Sequence, residues 1–265
     1  MFKRPSVNAL ALFGMALLTP TGARAGQPLE TESARLPQRG ALALEAGFER
    51  QTSTAGTEAA IPFAFEYGLT NRMELLVEPV VYNHIRDKGV RPRTGRGDLE
   101  VTLTTLLAPE RGARPAFALG TEVKLPTARD PRIGSGKADY SLYLIGSRRT
   151  GPWDTHANVG YTLIGRPAGV AVNNVMNFAL GEEYHLGRRW ELVGEVFGSS
   201  AALKEGADQP LVSQESALTP EIGGGEVVGT LGARVRAVDG VTCSLGVSLD
   251  NNHALLVHPG VTFKW

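Results

Sequence analysis

Apolar and polar residues alternate along most of the chain after residue 40. The alternating segments are about nine to twelve residues long, which is the length that a tilted strand needs to cross a membrane. We predict about twelve such strands, at 41–50, 59–67, 73–84, 97–107, 115–124, 139–148, 153–164, 174–185, 190–199, 226–237, 241–249 and 254–265. Helical apolar spacing is almost absent and Gly is abundant at 32 residues, so the chain is predicted to be all-β.

The strands for which the alternation is clearest have one aliphatic and one polar face. In the strand at 241–249, for example, Leu245 and Val247 alternate with Ser244 and Ser248. A strand of this kind fits a membrane barrel, with the aliphatic face toward lipid and the polar face toward a wet lumen. A water-soluble barrel or sandwich with the two faces reversed is the alternative.

The connections between the predicted strands alternate in length. Short turns such as 187–189 and 238–240 separate long loops that are rich in Gly, Pro and charge, although the short link at 250–253 is an exception. An up-and-down membrane barrel has short periplasmic turns and long external loops. The predicted fold is therefore an antiparallel up-and-down transmembrane β-barrel of about twelve strands, formed by residues 41–265.

The first 25 residues read as a secretory signal peptide. Lys3 and Arg4 precede an apolar run, and Ala23-Arg24-Ala25 provides an A-x-A cleavage site before Gly26. These features predict the outer membrane of a Gram-negative bacterium as the destination, after cleavage near Ala25. Residues 26–40 form a periplasmic N-terminal segment that is either disordered or folded inward as a plug.

The last strand carries the pattern of an assembly signal. Gly260, Phe263 and Trp265 place a glycine and two alternate aromatic residues at the carboxyl end. This resembles the terminal signal that the outer-membrane barrel assembly machinery reads, because an exposed final strand is captured by edge pairing. The predicted partners are this machinery, periplasmic chaperones, outer-membrane lipid and lipopolysaccharide.

Four stretches resemble one family of outer-membrane barrels. They are Gly95-Arg96-Gly97-Asp98, Glu122-Val123-Lys124-Leu125-Pro126-Thr127, Gly134-Ser135-Gly136-Lys137-Ala138-Asp139-Tyr140 and Asn158-Val159-Gly160-Tyr161. They resemble the barrels grouped as transporters of the meta-pathway of phenol degradation. The resemblance implies a barrel of about twelve strands and a role in moving small, often aromatic, solutes, and it transfers no functional residue.

Charge is balanced overall, at 27 basic and 27 acidic residues, so nucleic acid is not an expected partner. The charged residues on the polar faces of the predicted strands are more informative about function. The predicted lumen-lining residues are Glu45, Glu49, Glu66, Glu74, Glu78, Asp98, Glu100, Glu122, Lys124, His156, Glu191, Glu195, Arg234, Arg236 and Lys264. Their acidic excess favours cations if the lumen is open. Ion pairs such as Glu122 or Glu195 with Arg234 would instead close it.

The leading functional prediction is a porin-like channel or transporter that passes or binds small solutes without covalent catalysis, metal or cofactor. The remaining histidines show no metal-ligand spacing. A closed structural barrel is the first alternative, in which basic residues of the 85–96 loop contact lipopolysaccharide phosphates. An outer-membrane hydrolase using His156 and Ser141 is the second, although no nucleophile elbow or third catalytic partner accompanies them.

Overall fold

The computed structural model describes residues 26–130, 133–167, 171–202 and 225–265. The predicted signal peptide and most of the 200–225 loop lie outside these residues. The described strands are β1 (Leu42–Gly47), β2 (Glu49–Thr52), β3 (Gly56–Thr70), β4 (Met73–Asp87), β5 (Arg93–Gly95), β6 (Leu99–Ala108), β7 (Ala116–Leu125), β8 (Asp139–Thr150), β9 (Trp153–Leu163), β10 (Val175–Leu186), β11 (Trp190–Ser199), β12 (Glu226–Val238), β13 (Val241–Asp250) and β14 (Leu255–Lys264).

The strands form one closed antiparallel barrel. β14 pairs with β13 on one side and with β1 and β2 on the other, and β1 and β2 both pair with β3. β1 and β2 are one strand interrupted at Phe48, and the short β5 pairs only with the loop end of β4. The 14 described segments therefore make a barrel of 12 crossing strands, as the sequence predicted.

The outside of the barrel is apolar and the inside is polar. Leu231, Val159 and Leu249 on outward positions are 74%, 54% and 54% exposed, whereas the inward Asp154 and His156 are fully buried. A soluble protein does not leave a continuous aliphatic band in water, so this surface matches lipid. The alternative of a soluble barrel with reversed faces is wrong. Within the described residues, no helix is long and apolar enough to cross a bilayer.

Aromatic side chains and tight turns mark one end of the barrel. The rings of Trp153 and Tyr184 lie 4.6 Å apart, and those of Phe263 and Trp265 lie 6.2 Å apart. The turn between β8 and β9 holds Gly151 at a φ of 61°, which glycine adopts without a steric penalty. We call this the short-turn end, and tight turns beside interfacial aromatic rings are typical of the end of a membrane barrel.

Candidate functional site

Residues 26–40 form what we call the lumen strap, which runs through the barrel and becomes exposed at residues 38–40. The strap begins beside β1 and β12. The Gln27 amide donates to Glu45 Oε1 at 2.9 Å, and Arg234 Nε donates to the Gln27 carbonyl at 2.7 Å. Arg234 also donates to the Gly26 carbonyl through Nη2. Of the two alternatives for this segment, the structure therefore shows the inward-folded one.

The middle of the lumen strap is bound by β11 and β9. Glu195 accepts the Glu30 amide at 3.0 Å and the Thr31 amide at 2.6 Å, and it also accepts the Thr31 hydroxyl. Asn158 accepts the Glu32 amide at 3.0 Å and donates to the Glu32 carbonyl at 3.2 Å. These wall side chains satisfy backbone groups of a segment that has no ladder of its own.

The strap leaves the lumen at the short-turn end. Arg35 Nη2 donates to Asp154 Oδ1, and its Nε donates to Glu110 at 3.1 Å. The Gly40 amide then donates to the Gly68 carbonyl at 2.8 Å, close to the turn between β3 and β4. The strap therefore crosses the half of the lumen nearest the short-turn end and narrows it.

Glycines on the inner wall make room for the strap. A side chain at Gly232 would approach Pro28 Cγ to 2.6 Å, and one at Gly181 would approach Thr31 Oγ1 to 3.0 Å. Gly260, which the sequence assigned to the assembly signal, also faces Gln27 of the strap. The wall is therefore shaped to receive this segment.

A cavity of about 150 Å³ remains between the strap and the strands β1, β2, β3, β4, β6 and β7. Its lining is rich in carboxylates: Glu30, Glu32, Glu45, Glu49, Glu66, Glu78, Asp98 and Glu100. Among the residues that the structure describes, Lys124 is the one basic residue that lines it, and its Nζ lies 2.6 Å from Asp139 Oδ2. The apolar part of its lining includes Leu29, Leu76 and Val80. The lumen beside the strap is therefore acidic and amphipathic.

A second group of polar residues lies on the opposite wall, where β9 pairs with β10. Asp154 faces Glu183 directly in the strand register. His156 Nε2 lies 3.7 Å from Asp154 Oδ1 and 3.9 Å from Glu183 Oε1, and all three residues are buried. His185 Nε2 lies 4.0 Å from Asp154 Oδ2. We call these four residues the histidine–carboxylate cluster.

Most of the predicted lumen residues do lie in the lumen wall. The residues that are buried there or line the cavity are Glu45, Glu49, Glu66, Glu74, Glu78, Asp98, Glu100, Lys124, His156, Glu195 and Arg234. Glu122 and Glu191 are partly buried on the same face. Arg236 and Lys264 are exposed near the short-turn ends of β12 and β14, because their strands extend past the enclosed part of the lumen.

Two predicted side-chain partnerships differ from those in the structure. Arg234 pairs with Glu183 at 2.8 Å, rather than with Glu122 or Glu195, because Glu183 projects from β10 at its level. The serine beside His156 is Ser147 rather than Ser141, since Ser147 is its register partner. The pairing between strands decides which side chains become neighbours in both cases. The alternation of polar and apolar residues within one strand does not specify that pairing.

Sequence reasoning missed several residues that build the site. Glu183 stands on the inward face of a correctly predicted strand, so the alternation alone could have found it. Arg35 and Glu30 lie in the strap, which has no periodic pattern, and no sequence signal marked them. The site therefore consists of a predictable wall and an unpredictable strap.

Comparisons with known proteins agree with this architecture. The family model described as "Putative MetA-pathway of phenol degradation" matches residues 25–209. No curated protein sequence matches the chain.

Solved structures that this chain resembles in fold include an outer membrane channel and two porins. The COG4313 outer membrane channel from Pseudomonas putida F1 is 11% identical, with a TM-score of 0.68 over 86% of this chain and 96% of that chain. The NanC porin is 13% identical, with a TM-score of 0.56 over 84% of this chain and 100% of that chain. The KdgM porin, solved in complex with disordered oligogalacturonate, is 10% identical, with a TM-score of 0.53 over 84% and 99% of the two chains. At these identities the likeness shows a shared fold.

Proposed function

This chain belongs to the MetA-pathway phenol-degradation family, whose model covers residues 25–209, and from that premise we propose that it is an outer-membrane channel for small solutes. The channel works without covalent catalysis. Its selectivity comes from the carboxylates of the lumen, and its width is set by the lumen strap. The observation that carries the proposal is the acid-lined cavity beside the strap.

The lining of the cavity indicates which solutes would pass. Carboxylates such as Glu66 and Glu100 attract cations and accept hydrogen bonds from hydroxyl groups, and they repel anions. Leu76 and Val80 add apolar surface that a small ring can contact. Neutral hydroxylated aromatic molecules and small cations fit this chemistry, and the family description is in keeping with the first group. An acidic oligosaccharide such as the one bound by the KdgM porin does not fit.

Single-channel recording in planar bilayers tests the proposal. The wild-type barrel is compared with a variant that carries Glu66→Gln, Glu78→Gln and Glu100→Gln under a salt gradient. We expect a cation preference that falls in the variant, because the substitutions remove charge from the cavity lining. Asp239→Asn, in the exposed turn between β12 and β13, is the matched control and should behave as wild type. A reversal potential that is the same in all three proteins would refute the acidic pathway.

A closed structural barrel is the second candidate, because the strap is bound at both ends and in the middle by wall side chains. Deletion of residues 26–36 separates the two functions. A deletion variant that conducts strongly beside a weakly conducting wild type identifies a channel that the strap restricts. A wild-type barrel that stays silent while the deletion variant conducts identifies a barrel that the strap closes. Silence of both folded proteins identifies a barrel that its wall closes without the strap.

The hydrolase alternative gains little from the geometry. Ser147 Oγ lies 2.8 Å from His156 Nδ1, but it already accepts the Ala34 amide of the strap at 2.8 Å. The serine is 1% exposed, so an ester carbonyl cannot reach it while the strap is in place. An esterase signal that is lost in Ser147→Ala would overturn this assignment.

Two further parts of the proposal concern the surroundings of the barrel. The outward Phe263 and Trp265 form the assembly signal, and their replacement by Ala should reduce the yield of assembled barrel in cells. The exposed Arg86, Lys88 and Arg91, near the loop end of β4, are proposed to contact lipopolysaccharide phosphates. Charge-neutral variants should bind less lipopolysaccharide in a pull-down with the refolded barrel.

A further inference from the structure

We propose that Asp154, His156 and Glu183 bind a divalent transition-metal ion in the lumen wall. His185 lies beside these three ligands, with its Nε2 4.0 Å from Asp154 Oδ2. The proposal does not depend on the channel function, since it concerns a different wall of the lumen from the acidic cavity.

The first argument is geometric. Each of Asp154, His156 and Glu183 offers a ligand atom within 4.8 Å of the others, and all three residues are buried. The separations of 3.7 Å and 3.9 Å from His156 Nε2 exceed by about half an ångström those between ligands of a tetrahedral zinc ion with bonds of about 2.0–2.1 Å. A small contraction around an ion would complete the coordination.

The second argument comes from the orientation of the two histidines. His185 Nδ1 lies 3.2 Å from Glu191 Oε1, and a carboxylate can only accept, so this nitrogen carries the hydrogen. His156 Nδ1 lies 2.8 Å from Ser147 Oγ, which can accept its hydrogen in the same way. In the tautomer in which Ser147 Oγ accepts, both Nε2 lone pairs face carboxylate oxygens. Metal-bound histidines are held by such hydrogen bonds through their other nitrogen.

The third argument is that the atoms facing one another lack partners. His156 Nε2, His185 Nε2 and Asp154 Oδ2 are buried and have no hydrogen-bond partner among the described residues. Acceptor atoms that meet without a hydrogen between them repel each other, and a cation between them removes that cost. The combination of imidazole and carboxylate ligands suits zinc, and it also suits copper and nickel.

Three arginines lie against the cluster, and they limit the affinity. Arg149 Nε lies 4.0 Å from Asp154 Oδ2. Arg35 of the strap donates to Asp154 Oδ1, and Arg234 lies 2.8 Å from Glu183 Oε1. The oxygens that Arg35 and Arg234 hold, Asp154 Oδ1 and Glu183 Oε1, are the same ones that lie 3.7 Å and 3.9 Å from His156 Nε2. Coordination therefore requires each carboxylate to share that oxygen with its arginine or to turn its second oxygen toward the ion. Arg35 also repels a cation at Asp154, which means that its removal should strengthen metal binding.

Calorimetric titration of ZnCl₂ into the refolded mature barrel, without an affinity tag and after chelator treatment, tests the site. Saturable binding of one equivalent is expected. His156→Ala should weaken binding about tenfold or more. His258→Ala is the matched control. This buried histidine on β14 shares a hydrogen bond with Ser248 on β13, away from the cluster. Arg35→Gln should bind zinc more tightly than the wild type.

X-ray absorption at the zinc edge of the wild-type barrel is an independent test that needs no variant to fold. Histidine nitrogen and carboxylate oxygen ligands at about 2.0–2.2 Å are expected. A shell of water oxygens alone would overturn the proposal. Absence of saturable binding would also overturn it, as would equal loss of affinity in His258→Ala and His156→Ala.

Discussion

The carboxylate of Glu195 is the main wall contact of the middle of the strap. It accepts two strap amides, at 3.0 Å and 2.6 Å, and the Thr31 hydroxyl. Glu195→Gln removes the negative charge and turns one acceptor oxygen into a donor that faces other donors. A hydrogen bond to a charged group contributes about 1.5–3 kcal/mol, which corresponds to a shift of roughly 10- to 150-fold between docked and released strap.

Limited trypsin digestion of the folded barrel measures this shift. The bond after Arg35 is protected in the docked strap, because that side chain is largely buried and bound to Asp154 and Glu110. When release and redocking of the strap are fast relative to cleavage, the cleavage rate is proportional to the fraction of molecules with a released strap. The appearance of the peptide 26–35 should therefore be about 10- to 150-fold faster in Glu195→Gln.

Glu182→Gln is the matched control for this experiment. Glu182 stands one residue from the cluster on β10, but it accepts the Thr155 hydroxyl at 2.7 Å on the other face of the wall. The control should be cleaved at the wild-type rate. Cleavage of Glu195→Gln at that same rate would show that the strap is not held by Glu195, and would refute the reasoning.

Three further predictions concern the strap, the wall and the lipid face. Gly181→Val should displace the strap and raise conductance in bilayers, whereas Gly229→Val, at a position with open space, should not. Lys124→Met should destabilise the barrel by about 3–5 kcal/mol in urea unfolding, because it leaves the buried carboxylate of Asp139 without its ion-pair partner. A double variant with Lys124→Met and Asp139→Leu should recover much of this loss of stability. Leu231→Arg should cost about 2–4 kcal/mol in the same assay, with Leu231→Ala costing less, since this side chain faces lipid.

The strands and their faces were predictable because the alternation that encodes them is local. The predicted segment at 190–199 coincides with β11, and most other bounds differ by one or two residues. The largest differences are in the hairpin of β3 and β4, which are 15 residues long each. These two strands continue to pair with each other past the alternating segment from which their length was predicted. Inward carboxylates such as Glu45 and Glu74 followed from the same alternation.

The partners of those inward residues were not predictable to the same degree. Register between strands is a non-local property, and a shift of one strand would bring a different pair together. The meeting of Asp154 with Glu183, and of His156 with Ser147, depends on the register of β9 against β10 and β8. Neither pair has a spacing that a single sequence displays.

The sequence by itself determined that this chain is an all-β membrane barrel of about twelve strands with an acidic polar face, because strand period, turn residues and face polarity are all written in neighbouring residues. The tertiary structure alone decided what occupies the lumen. Residues 26–40 have no periodic pattern, and their position follows from contacts with Glu45, Asn158 and Glu195, which stand far away along the chain. Only closure of the barrel brings those three side chains around one segment, and that is the physical reason why the strap and the histidine–carboxylate cluster required the folded structure.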